Sequence, residues 1–150
     1  MRLTKRFGRI QYPTLTARQK ENFNFQKVSA VLADYGFATT RLSDDWNGAD
    51  FIAQHLSGET LKVQLKSRFC VYRKYSGRDV WVTFPVSHGW YLFPHDRILE
   101  HVLQLTGIAR TASWSTHGGY SWSSPPPAIR QKLEPYFLAS PEASANGIRN

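Results

Sequence analysis

The segment 60–67, Thr-Leu-Lys-Val-Gln-Leu-Lys-Ser, constrains this chain most. Leu61, Val63 and Leu65 alternate with Lys62, Gln64 and Lys66, the two-residue period of a strand with one apolar and one polar face. One face enters a core, and the other presents two ammoniums around an amide; an ordinary solvated strand face has the same pattern. A second strand-like run, residues 49–55, precedes it across a turn at Ser57-Gly58. The two read as a hairpin. A three-residue loop, 57–59, or an equivalent five-residue one, sets Asp50 opposite Lys66 and Ile52 opposite Gln64, all on one face. A four-residue loop without a bulge turns Asp50 to the other side. The first arrangement is the expectation.

Upstream, Thr16-Ala17-Arg18-Gln19 has the form of a capping box. The helix it opens is expected to run to about residue 35, with Gly36 as a left-handed stop. Phe25, Val28, Leu32 and Tyr35 fall at spacings of three and four and form one stripe. Glu21, four residues before Phe25, extends it. A carboxylate on a buried face near a helix start either complements the helix dipole or is aimed at an internal polar site. With Asp50 and Lys66 available, the second is the expectation.

Residues 37–42 read as a strand, and 43–48 as a turn-rich loop whose Asp44 and Asp45 are turn acids rather than ligands. Two further strands are expected at 80–84 and 90–93. Asp96 then starts a helix with Ile98, Leu99, Val102, Leu103 and Leu105 inward and Gly107 at its end. Ser124 is expected to cap a short helix entered at Pro125 and interrupted by Pro135. Residues 111–124, with Trp114, Tyr120 and Trp122, suit a folded loop, an aromatic nucleic-acid surface or a subunit contact. A single domain over 1–139 and a frayed small, polar tail over 140–150 complete the reading.

The 150 residues carry a formal charge of +8, and its distribution tells more than its size. The first twenty hold Arg2, Lys5, Arg6, Arg9, Arg18 and Lys20 and no acid. Lys62, Lys66, Arg68, Arg73, Lys74 and Arg78 form a second cluster with Asp79 as its one acid. Cations gathered this way suit a polyanion partner, with a solubilising surface as the alternative. Cys70 is the only cysteine, so no internal disulfide forms, as suits a reducing cytoplasm. No run is long and apolar enough to span a membrane, and a soluble, cytoplasmic protein is expected. One cysteine and five scattered histidines give no zinc spacing. His88 and His95, which bracket a strand, are read as structural. No glycine-rich phosphate loop is present.

Asp50 beside Gly48-Ala49, then Gln64-x-Lys66 in the next strand, behind a helix bearing Glu21, resembles the core of the PD-(D/E)XK nuclease superfamily. That resemblance implies an α/β, restriction-endonuclease-like core: a central mixed sheet flanked by helices. It implies a metal-dependent DNA endonuclease of the homing, resolvase or restriction kind. Mg²⁺ is its cofactor, with Mn²⁺ as a substitute, and a homo-oligomer acts on duplex or branched DNA. Asp50 is then the principal metal ligand, and Glu21 a second acid acting directly or through water. Gln64 stands where Asp or Glu is commoner, and Lys66 orients the attacking water or stabilises the transition state. Gln64 can still offer a carbonyl oxygen to a hard cation but adds no charge, and Ala49 replaces the usual Pro. Arg18, Lys20, Lys62, Arg68, Arg73, Lys74 and Arg78 are the expected nucleic-acid contacts. The alternatives are a catalytically inactive nucleic-acid-binding module of the same fold, which Gln64 favours, and an interaction protein using its Trp-rich segment.

Overall fold

The computed structural model describes residues 2–141, apart from the Trp46 side chain. A four-residue helix, α1 (Leu3–Arg6), buries nothing. The first long helix, α2 (Ala17–Asp34), starts at the expected capping box: Thr16 Oγ1 accepts from Gln19 N–H at 3.2 Å and Gln19 Oε1 from Thr16 N–H at 2.9 Å. Gly36 follows its end at φ 85°, a conformation that is costly for any residue with a Cβ. Val28 and Leu32 are buried as the stripe requires. Tyr35 is not: it lies past the last helical residue, is exposed, and its hydroxyl accepts from Ala139 N–H.

Eight strands follow among the described residues: β1 (Phe37–Trp46), β2 (Ala49–His55), β3 (Thr60–Leu65), β4 (Cys70–Tyr72), β5 (Val80–Val86), β6 (Gly89–Pro94), β7 (Gly119–Ser121) and β8 (Phe137–Ala139). Six make one mixed sheet in the order β1-β2-β3-β5-β6-β8, and β4 pairs with β7. Only β3 and β5 run parallel; the other neighbours are antiparallel. Parallel neighbours need a long crossover, and residues 66–79 provide it, carrying β4 and a tight helical turn, Arg73–Tyr75.

Alternation in β2 and β3 divides the sheet between two cores. Phe51, Ala53, Leu61 and Val63 join Val28, Val31 and Leu32 of α2. On the other face Val80, Val82, Phe84 and Phe93 pack with Ile98, Leu99 and Val102 of α3 (His95–Leu105) and Ile129 and Leu133 of α4 (Pro127–Leu133). The chain is thus a mixed α/β fold, its central sheet flanked by helices.

Several local expectations are corrected. Residues 43–46 belong to β1, not to a loop. Asn47 and Gly48 take φ 53° and 86°, as a two-residue type I′ hairpin turn requires, so the strand runs up to the turn. In α3, Leu103 and Leu105 are exposed; each step of one residue turns a helical side chain by about 100°, and Ile98, Leu99 and Val102 already fill the core. Gly107 has a negative φ; Thr106 closes the helix, its Oγ1 donating to Val102 O at 2.7 Å. α4 starts after Pro126, and Ser124 accepts from Arg130 Nη2 at 3.2 Å instead of capping. Trp114 is buried and Trp122 stacks on Phe69 at 5.0 Å, so both serve the core. Among the described residues no helix is long and apolar enough to cross a membrane. The tail from residue 142 lies outside the described residues.

Candidate active site

The site begins with a defect in the β1–β2 ladder. Arg41 pairs with Phe51 and Trp46 with Ala49, so four residues of β1, Leu42 to Asp45, stand opposite Asp50 alone. A bulge of this size bends the strand away and leaves its partner unpaired. Asp50 therefore faces a cleft of about 870 Å³, lined by the bulge and by Ala17, Arg18, Glu21 and Asn22 at the start of α2. Asp45 serves the turn as expected, its Oδ1 accepting from Gly48 N–H at 2.8 Å.

On its other side Asp50 meets β3. The β2–β3 pairing differs from expectation by two residues: His55 N–H donates to Glu59 O at 2.8 Å, and Ile52 faces Lys62 rather than Gln64. A shift of two preserves the faces, so Asp50, Ile52 and Gln64 share one. The ladder stops at Phe51–Val63. Asp50 Oδ2 takes its place, accepting from Leu65 N–H at 2.8 Å.

Burial raises the pKa of Asp50, and the nearby charges of Glu21 and Asp45 add to the rise; the Leu65 N–H and the Lys66 ammonium oppose it. The Glu21 and Asp45 carboxylates thus both bear on Asp50. Glu21 is on the cleft, but not on the buried stripe: its side chain is 55% exposed and pairs with Arg41 Nη2 at 3.4 Å. Arg41 Nη1 also donates to Asn22 Oδ1 at 3.1 Å. Among the described residues, no three Asp, Glu, His or Cys side chains gather closely enough to hold a metal ion by themselves.

Lys66 extends from the end of β3, its N–H donating to Thr83 O at 2.9 Å. Its ammonium lies 5.0 Å from the ring of Tyr72 and 5.7 Å from that of Tyr75, and Lys74 shares the same rings at 5.4 and 5.2 Å. Ring faces attract cations without neutralising them. Tyr75 is buried, and its phenol is pushed up by burial, by Cys70 and by Asp50. Cys70 is buried too, its thiol pushed up to about 11 by desolvation; it is an inert core group.

The expected basic contacts are dispersed. Arg18 lines the cleft. Lys20 lies over the Tyr12 ring at 5.5 Å, and Lys62 Nζ donates to Arg78 O at 2.5 Å. Arg68 is exposed, its charge acting on Cys70. Arg73 is committed to the fold, with Nη2 donating to Trp114 O at 2.6 Å. Arg41, the partner of Glu21, has no local sequence signal, because the β1–α2 contact that makes it matter is non-local. The bulge does have a signal in the Asn47-Gly48 hairpin turn.

No protein-family model and no curated protein matches the chain. Among the solved structures similar to it are two nucleases. Hjc, a Holliday junction resolvase from the archaeal hyperthermophile Archaeoglobus fulgidus, is 14% identical over 84% of this chain and 96% of its own, with a TM-score of 0.47. The bacterial homing endonuclease I-Ssp6803I is 16% identical over 89% of this chain and 91% of its own, also at 0.47.

Proposed function

We propose that this chain is a metal-dependent endonuclease that hydrolyses phosphodiester bonds in DNA, and that Asp50 is the centre of its active site. The observation that carries this reading is the Asp50 carboxylate, at a residue left out of the β1–β2 ladder, set in a cleft with Glu21 and under the influence of the Lys66 ammonium. The donor set fits Mg²⁺, which is bound through one or two carboxylates plus waters and substrate phosphate rather than by a full protein cage. Asp50 would hold it, with one oxygen fixed by Leu65 N–H and lone pairs to spare. Glu21 would join on exchanging Arg41 for the cation, and Gln64 would add a neutral carbonyl. When bound, the ion polarises the phosphate and lowers the pKa of a coordinated water.

The chain's own groups do the rest. Lys66, held over two aromatic faces, orients the attacking water or offsets the charge that grows on the phosphate. Arg41, released from Glu21, provides a second cation at the cleft. On duplex DNA each site handles one strand, so a homo-oligomer would supply two.

The test is plasmid nicking with Mg²⁺ or Mn²⁺ by wild type, Asp50→Ala and Lys66→Ala, on linear, supercoiled and branched DNA. Metal-dependent cleavage that drops at least about 100-fold in both variants supports the reading. Gln64, a neutral amide on the Asp50 face, favours a second reading, a nucleic-acid-binding module without catalysis. DNA bound in a salt-dependent way, uncut in every form and unaffected by Mg²⁺, would establish that one instead.

A further inference from the structure

Tyr72 lines a second groove as well as backing Lys66. It holds about 520 Å³ and is formed by Tyr72, Arg73 and Lys74 on the β3–β5 crossover and by Thr116, His117 and Gly118. None of the six is acidic, and among the described residues no carboxylate lies within ion-pair distance of Lys74.

The groove has a fixed frame. Arg73 N–H donates to Gly118 O at 2.6 Å, and its guanidinium sits 5.1 Å from the Trp114 ring. Tyr72 N–H donates to buried His95 Nε2 at 3.1 Å. The Tyr72 ring closes on Gly119, where a Cβ would collide with it. Gly118 takes φ 66° against the Arg73 side chain, a turn that a residue with a Cβ resists. Arg73 is thereby spent on the wall, and Lys74 supplies the groove's ammonium.

The two lysines set the distance scale. The ammoniums of Lys66 and Lys74 each lie within 5.7 Å of the centroids of both Tyr72 and Tyr75. They are therefore separated by no more than about 10 Å, which is about three base-pair rises of roughly 3.4 Å along a duplex axis. One polyanionic strand can meet both. We propose that this groove binds a backbone phosphate of the nucleic-acid strand whose scissile phosphate sits at Asp50, with Lys74 as its cation and Thr116 and His117 as further donors. This assignment rests on the nucleic-acid reading above. The Tyr72–Tyr75 pair is then the spacer that fixes one phosphate subsite relative to the other.

The experiment is fluorescence anisotropy of a labelled duplex and of its single strand against salt concentration, in EDTA so that no cleavage intervenes. Wild type is compared with Lys74→Gln, Thr116→Glu and, as a surface control on α4, Lys132→Gln. Lys74→Gln should lower the slope of log affinity against log salt by about 0.9 on duplex, a loss of about eightfold at 0.1 M salt relative to 1 M. Thr116→Glu, which sets a carboxylate in the groove, should weaken binding at least as much. Lys132→Gln should change neither, and all four proteins should melt together. Wild type that binds DNA while Lys74→Gln and Thr116→Glu keep its slope would overturn the subsite and leave the nucleic-acid reading standing. So would an equal loss in Lys132→Gln. Wild type with no salt-dependent affinity for either DNA would remove that reading and the subsite with it.

Discussion

The Asp50 carboxylate is held between opposing influences. Desolvation and the charges of Glu21 and Asp45 favour its protonated form, while Leu65 N–H and Lys66 favour the ion, and the first group prevails. The folded chain therefore holds this proton more tightly than the unfolded chain. Stability contributed here is greatest below the ordinary aspartate value of 3.8 and declines as pH rises through the higher folded value. At neutral pH the ionised group is a net burden on the fold, the condition expected of a residue kept for a ligand. Asp50→Asn keeps an acceptor for Leu65 N–H and removes the charge. It should raise Tm at pH 7 by on the order of 2 °C, leave Tm unchanged at pH 3, and abolish nicking. A fall in Tm at pH 7, measured by calorimetry, would instead make Asp50 a structural acid.

At the scale of elements, the site is made by irregularities: the β1 bulge that frees Asp50, and the crossover that brings Tyr72 and Tyr75 over Lys66. What the sequence revealed was local. The alternation of β3 and the capping box of α2 are set by neighbours in the chain, so both were legible. The hairpin register was missed by two residues because Gly58, at φ 94°, is the last residue of the loop rather than its middle. Three-residue loops place their left-handed residue at that end. The Glu21–Arg41 pair joins a helix to a strand and had no local sign. The crossover is anchored from α3 by His95, which is buried and accepts Tyr72 N–H on Nε2. It therefore carries its proton on Nδ1, 3.1 Å from Asp96 Oδ1, with the Tyr75 ring perpendicular to its own at 5.5 Å. Burial lowers its pKa, and Asp96 opposes that only in part. The stability His95 contributes is present above 6.5 and lost as pH falls through the lower folded value, when a second ring N–H would face the Tyr72 donor. His95→Gln can accept the same hydrogen bond and does not titrate. Between pH 6.5 and 5 the wild type should lose Tm relative to this variant. Parallel melting curves across that range would show that His95 does not anchor the crossover through its neutral form.

At the scale of the whole molecule, charge and burial are separated along the chain. Residues 2–14 carry Arg2, Lys5, Arg6 and Arg9 and no acid, and neither α1 nor the turn Tyr12–Thr14 buries a residue. Leu3, Phe7 and Ile10 are exposed as well. The arm's like charges repel one another, and a polyanionic partner would offset that repulsion. It leads into Arg18 and Glu21 on the cleft, so under the proposed function DNA lying in the cleft would pass beside it. Each arm cation that meets a phosphate releases a counterion and adds about 0.9 to the salt slope. A variant lacking residues 2–10 should therefore bind duplex DNA with a slope lower by up to about 3.6, the sum for four such contacts. Its Tm should match the wild type, because Tyr12 stays to accept from Asn24 Nδ2 at 2.9 Å and to pack on Phe23. An unchanged slope would place the DNA elsewhere on the molecule. A lowered Tm would mean that the arm supports the fold rather than the complex.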